Sequence, residues 1–516
     1  MASPAVSLSN SDQSKRAAGA GSADGLSRTG GALLVLATAA VLLAIGAPKL
    51  LNDPDTLWHV RVGLDISATG VFPRTDAYSH TFAGEPWIAK EWLSQVILAA
   101  AYGAAGWNGV AALAVFALLS SIGLVHRYLS AHLRPAAAAI VAIWGFALCS
   151  GVFLARPHVV VLPIIILFIG GVWRRAEDAR APAFWLLSVL CLWANLHGSF
   201  TFGFLAAGLA FLRYLDAAGL WTVNSLTPAS LMKIAGQPNT RAWLLFLLTC
   251  PLVTLIHPYG VDAIWSTLIV AKSEALPYIR EWRPFSAQTD QFVALNLVAA
   301  AIALMVSGFR TRPASAIFVG LLVYLYLTHV RFVHFLFLLA PIVLARDLAV
   351  AFPSVLGGAA SPRPAASQRR RALRTGIILA GAAAVLAPLR PLAPPRTAFP
   401  ANALAAANAA DLKGPVYNGY SFGGALLFAG VPTFIDGRTD RLYNGGFVEA
   451  VERSKKAGGG SVIVEHLETY KIGWTLLRQG DPRIIWFEDH PNWMRFYHDE
   501  TAVIHVPSRP REALAE

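Results

Sequence analysis

Most of the chain alternates long apolar runs with short charged loops. Runs near 31–48, 107–126, 135–154, 157–173, 183–196, 198–214, 241–257, 290–308, 313–329, 332–348 and 374–390 each approach the roughly 20 apolar residues that carry a helix across a bilayer, which predicts about eleven crossings. The first thirty residues are small and polar, with Lys15, Arg16 and Arg28, and read as a disordered cytoplasmic tail. The run at 31–48 starts too late and runs too long for a signal peptide's apolar core, and no small-residue cleavage site follows it, so it is expected to be the first crossing.

Segment 91–105, EWLSQVILAAAYGAA, is apolar enough to count as a crossing, but counting it would invert every later loop. Leaving it out sends the basic loops near 127–134, 174–182, 213–241, 309–313 and 346–374 to the cytoplasm, as the positive-inside rule requires. It is therefore expected to lie as a helix on the outer membrane surface. From about residue 391 the pattern changes. Pro388, Pro391, Pro394 and Pro395 stiffen the exit from the membrane. The apolar runs then shorten to strand length at 414–418, 431–436, 473–477 and 502–506, with helical spacing in 443–456. The expected architecture is a polytopic α-helical membrane protein: a tail over 1–30, a transmembrane domain over 31–390, and a small soluble α/β domain over 391–516 on the extracytoplasmic side.

Composition agrees. With 55% hydrophobic and 14% charged residues and a mean hydropathy of +0.52, the chain is far from soluble proteins, in which charged residues make up about 25%. Its formal charge of +12 is dispersed between apolar runs as topology signals are, which argues against a nucleic-acid partner and for contact with membrane lipids. The Arg-rich stretch 363–374, RPAASQRRRALR, reads as a cytoplasmic retention signal. Cys149, Cys191 and Cys250 lie inside apolar runs and indicate neither a disulfide framework nor a cysteine metal site.

One polar stretch breaks the pattern. Residues 49–92 carry six carboxylates (Asp53, Asp55, Asp65, Asp76, Glu85, Glu91) against four cations (Lys49, Arg61, Arg74, Lys90) in an otherwise basic chain. A connector between helices needs only a few residues, so a loop of this length is expected to be a working part. Asp53 and Asp55 flank Pro54, so one can bind a hydroxyl or a divalent cation while the other orients it; an Asp-Pro pair is equally suited to capping a helix.

An opening loop that begins DPDTLWHV, then a PW pair and EWLSQVILAAAYGAAG as a surface helix, resembles the GT-C glycosyltransferases. EPWIAKEW stands where related transferases carry a PP-type dipeptide, which marks a divergent branch. The resemblance implies a polyprenyl-phosphate-linked sugar as donor, a glycan, lipid or protein of the cell envelope as acceptor, a multi-pass location in a bacterial inner membrane, and a first-loop Asp, Asp55 or else Asp53, as general base. No cofactor is required; Mg or Mn at Asp53 and Asp55 is optional.

Polar residues at the predicted outer ends of crossings fit the same chemistry, because a charge within the bilayer needs a cavity or a partner. Arg156 and Arg331, with His158 and His334, are candidates for the donor phosphate. Trp58, His59, His197, His257, Tyr259 and Glu281 are candidates for substrate contact, and Asn195 shares their position. In the C-terminal part, Asp436, Arg438, Asp440 and Arg441 follow an expected strand, where structural ion pairing competes with glycan binding. A transporter or flippase of lipid-linked or small polar substrates would also need cavity-facing Arg and His, but internal repeats are not evident.

Overall fold

The computed structural model describes residues 28–220, 227–270, 273–357, 391–439 and 441–508. Most of the expected tail, the crossing at 374–390, the Arg-rich stretch 363–374 and Asp440 lie outside the described residues.

Helix α1 (Arg28–Leu50) leads into the polar stretch, most of whose first half is itself helical, α2 (Pro54–Thr69). Pro54 starts α2 because its fixed φ and missing N–H suit a first turn. Asp53 caps it, accepting a hydrogen bond from the Asp55 N–H at 2.9 Å, and Gly70, at φ 67°, ends it. Helix α3 (Trp92–Leu129) contains the ambiguous segment. Its helical geometry fails at Ala105 and at Gly106, whose φ of 58° and ψ of −145° suit glycine alone, so two helices meet at a break there. The first packs on α2 at a distance that requires glycine: a Cβ at Gly63 would lie 2.0 Å from the Gln95 carbonyl oxygen.

The bundle continues with α4 (Pro135–Leu148), α5 (Leu162–Glu177), α6 (Leu186–Leu196), α7 (Thr201–Ala217), α8 (Pro238–Thr254), α9 (Val261–Val270), α10 (Gln291–Val306), α11 (Pro313–Thr328) and α12 (Val333–Ala351). Phe168, Trp173, Trp193, Phe200, Trp243 and Phe318 are fully buried within it. Helix α10 buries no residue and turns Leu295, Ile302, Met305 and Val306 outward, a face suited to lipid. Among the described residues three helices are long and apolar enough to cross a membrane: Trp92–Leu129, Gly198–Ala217 and Val330–Ala351. This corrects the expected count of about eleven. Other apolar runs do form helices, but several hold only 10–17 residues. The 14 residues of α4, started by Pro135 and ended by irregular backbone at 149–156, reach only about 21 Å of the roughly 30 Å hydrocarbon core.

Near the C-terminus, α13 (Ala401–Ala409), α14 (Tyr420–Phe428), α15 (Phe447–Arg453), α16 (Gly460–Thr469) and α17 (Arg483–Asp489) accompany a four-stranded sheet. Its order is β1 (Val416–Asn418), β2 (Trp474–Arg478), β4 (Ala502–Pro507), β3 (Trp493–His498); β1 and β2 are parallel, and the β2–β4 and β3–β4 pairs antiparallel. The expected strand at 431–436 is absent. Its backbone pairs instead with the opening polar stretch, the Thr433 N–H donating to the Tyr78 carbonyl and the His80 N–H to the Thr433 carbonyl, both at 3.0 Å. The two regions also share one apolar core, in which Trp58, Val62 and Trp87 pack with Phe434, Tyr443, Phe447 and Leu477. Full burial of such side chains is worth about 1.5–3 kcal/mol each, so the sheet region is fused to the polar stretch.

Candidate functional site

The site is organised by Arg156. The residue before a proline is held extended, and Arg156, before Pro157, adopts φ −119° and ψ 167°. Ala155 donates its N–H to the Leu50 carbonyl at 2.8 Å, which pins the segment beside the start of α2. The guanidinium then meets three carboxylates: Asp53, with Nη2 2.6 Å from Oδ1; Asp55, with Nη2 3.0 Å from Oδ2; and Glu281, with Nη1 2.5 Å from Oε1. Burial pushes the Asp55 carboxyl up, and Asp53 and Glu281 add to that against the pull of Arg156, leaving its pKa at about 8. Burial would raise Glu281 as well, but Arg156 and Arg331 outweigh it and bring it down to about 2.

Asp55 faces a cavity of about 1130 Å³ that Trp58, His59, Glu91, Arg156, His158, His197, Glu281, Arg331 and His334 also line. Asp53 does not line it; Asp53 is the helix cap and the rear anchor of Arg156. Arg331 stacks over the Trp282 ring at 4.3 Å, and the rings of His158 and His334 are 5.9 Å apart. His197 Nε2 is 3.4 Å from Glu91 Oε1.

The sheet region closes the cavity with Tyr420, Gly437, Arg438 and Arg441. Close approach depends on two glycines: a Cβ at Gly424 would lie 1.9 Å from the Pro54 carbonyl oxygen, and one at Gly437 would lie 1.9 Å from Asp55 Oδ1. Arg438, 1% exposed, locks the arrangement. Its Nη2 donates to Asp436 Oδ2 at 2.7 Å and its Nε to Oδ1 at 2.8 Å, while Nη1 reaches Asp76 in the polar stretch. The guanidinium also lies over the rings of Trp87 and Tyr78, at 4.9 and 5.2 Å. Burial would raise the Asp436 pKa, but Arg438 holds it below the usual carboxylate value. Asp436 thus pairs with Arg438 in the interior.

Two substrate candidates fall outside the cavity. His257 is 3.2 Å from the Lys90 carbonyl, and the Tyr259 hydroxyl donates to the Pro73 carbonyl at 2.9 Å while accepting from the Ala89 N–H, so both fasten the polar stretch to the bundle. Asn195 likewise accepts from the Trp92 indole at 2.8 Å. Conversely, Glu91, Gln95, Tyr420 and Gly437 line the cavity without having been singled out for it. Glu91 was visible as one of six loop acids, but nothing in its spacing set it apart.

Asp53 and Asp55 do not fit the optional cation, because each turns oxygens to the Arg156 guanidinium. Among the described residues no group of three or more His, Cys, Asp or Glu is arranged to hold a metal.

The fold is similar to the crystal structure of the Archaeoglobus fulgidus oligosaccharyltransferase in the apo form, with a TM-score of 0.50 and 12% identity, over 87% of this chain and 69% of that one. No family model and no curated protein matches the sequence. At this identity the likeness is one of fold alone, that of a helical membrane protein.

Proposed function

We propose that this membrane protein is a glycosyltransferase that moves a sugar from a polyprenyl-phosphate donor to an envelope glycan, lipid or protein at the extracytoplasmic face of a bacterial inner membrane. The observation that carries the proposal is Asp55: a carboxylate with a raised pKa, facing a large cavity and held in place by Arg156. Groups that transfer protons near neutral pH are tuned in this way. The fold neighbour is an oligosaccharyltransferase, which supports glycosyl transfer as the reaction class.

In this reading Asp55 takes the proton of an acceptor hydroxyl as the oxygen bonds to the anomeric carbon of the sugar. The bond from that carbon to the phosphate oxygen breaks, and polyprenyl phosphate leaves with the electron pair, with inversion at carbon. Arg156 is committed to three carboxylates, so we assign it to positioning Asp55, with Asp53 behind it. The leaving phosphate is assigned to Arg331, with His158 and His334 alongside in the cavity. No metal is needed in this scheme.

Asp55→Asn keeps the shape of the side chain and removes the proton acceptor. In membranes supplied with a lipid-linked sugar it should lower transfer by about 10²–10⁴-fold. Normal transfer by well-inserted Asp55→Asn would overturn the proposal, as would movement of the lipid-linked substrate across the bilayer with no glycosylated product.

A further inference from the structure

Trp58 follows Asp55 by three residues on α2, on the same face of the helix, and the scheme above leaves it without a role. Both residues are buried. The indole is clamped: the His59 ring lies against it with centroids 3.6 Å apart, and the Trp87 ring, itself under the Arg438 guanidinium, meets it edge-on at 6.5 Å. The two oxygens of Asp55 have different surroundings. Oδ2 is 3.0 Å from Arg156 Nη2. Oδ1 lies under Gly437, where an added Cβ would stand 1.9 Å from Oδ1 and 2.7 Å from Trp58 Nε1. The indole nitrogen and Oδ1 therefore border the same gap.

The Trp58 N–H completes no hydrogen bond among the described residues, an expensive state for a buried donor. The proton on Asp55 accounts for it. The guanidinium keeps Oδ2 bare, so a neutral carboxyl carries its proton on Oδ1, and a protonated oxygen is a poor acceptor. Loss of that proton turns Oδ1 into a charged acceptor beside a waiting donor. Trp58 accordingly favours the ionised form, against burial and the charges of Asp53 and Glu281. The other groups within electrostatic reach of Asp55 are Arg156 and, from the sheet region, the Tyr420 phenol. Burial and Arg156 keep His59 and His158 neutral, and the charge of Arg438 is taken up by Asp436 and Asp76.

We infer that Trp58 is a positioning residue for the base: its indole N–H donates to Asp55 Oδ1 once the carboxylate ionises. With Arg156 on Oδ2, the carboxylate is then held at both ends and presents its remaining lone pairs to the acceptor hydroxyl. The inference rests on the glycosyl-transfer proposal and deepens it, because it names the group that readies the base for each turnover.

The test uses the full-length protein and Trp58→Phe, which keeps an aromatic ring and deletes the N–H. In membranes supplied with a short-chain polyprenyl-phosphate hexose, kcat/KM of the variant should fall about tenfold at pH 7, its rise with pH displaced upward by about one unit towards the same plateau. A merely structural loss would lower the curve equally at every pH. A profile that is not displaced overturns the inference, whatever happens to KM. A second readout needs neither turnover nor a folded Trp58→Phe. In detergent-solubilised protein labelled with ¹⁵N-tryptophan, one indole N–H resonance should titrate with Asp55, near pH 8, and that titration should vanish in Asp55→Asn. No titrating indole, or one that persists in Asp55→Asn, overturns the inference. If the unaltered protein turns over no donor, the transfer proposal fails separately, and the indole titration alone decides the role of Trp58.

Discussion

Gly437 lies so close above Asp55 that a methyl group on its α-carbon would stand 1.9 Å from Asp55 Oδ1. The two residues are 382 positions apart, yet the carboxylate is shaped by the glycine as directly as by Arg156. Gly437→Ala must push Asp55 aside or lift the segment that carries it. A misplacement of about 1 Å can reduce turnover by about 10²-fold, and that loss is expected in transfer assays while the melting temperature in detergent changes little.

The raised pKa of Asp55 gives a pH dependence. Below about 8 the carboxyl holds its proton and cannot take another, so kcat/KM should climb as pH rises and level off above that value. The stability effect has the opposite sign. The folded pKa lies above the ordinary value of 3.8, so the group's stabilising contribution is complete below about 3.8 and is lost as pH rises towards 8. Asp55→Asn cannot ionise, so its melting temperature relative to the unaltered protein should increase from pH 5 to pH 8. A difference that is flat with pH would contradict the assignment.

Arg156 and Arg331 are both arginines of the cavity, but their substitutions should differ in kind. Arg156→Ala strips the partner from Asp53, Asp55 and Glu281, and loss of one member of a buried ion cluster costs about 3–5 kcal/mol. Reduced yield and melting temperature are expected. Arg331→Ala removes a cation stacked on Trp282 and should mainly raise KM for the lipid-linked donor. Measuring both quantities for both variants separates a positioning role from phosphate contact.

Arg438→Ala should also be destabilising, by about 3–5 kcal/mol, because it leaves Asp436 and Asp76 buried without their cation. Limited proteolysis should then release the sheet region from the membrane part. Resistance equal to that of the unaltered protein would mean that the shared apolar core suffices alone.

Because Asp53 and Asp55 face Arg156, transfer should be insensitive to EDTA and to added Mg²⁺ or Mn²⁺. A chelator-dependent loss restored by either cation would reinstate the metal role.

Several of these features are legible in the sequence because they are local. The Asp-Pro pair signals a capped helix start, the break at Gly106 falls where the ambiguous segment ends, and three of the four expected strands overlap observed ones. Other features depend on distant partners. Asp53 meets Arg156 across 103 positions, and no spacing rule encodes such a contact. The segment at 431–436 has the composition of a strand, but Thr433 pairs with Tyr78 and His80. HPYG at 257–260 ends an apolar run in the way a cavity residue would, yet the His257 and Tyr259 side chains turn to backbone groups. Among the described residues fewer helices than expected are long enough to cross, because apolar composition does not show where a proline or a turn shortens a helix.

The bond between Asp76 and Arg438 spans 362 positions. At a synthesis rate of roughly 5–20 residues per second, Asp76 is made about 20–70 s before its partner exists. During that interval Trp58 and Trp87 lack the side chains that will cover them, so a nascent chain presents an unfinished aromatic surface to chaperones and proteases. A ribosome that stops short of residue 438 releases a product without the cation that ties the sheet region to the polar stretch, which makes the last part of the chain a checkpoint on completeness.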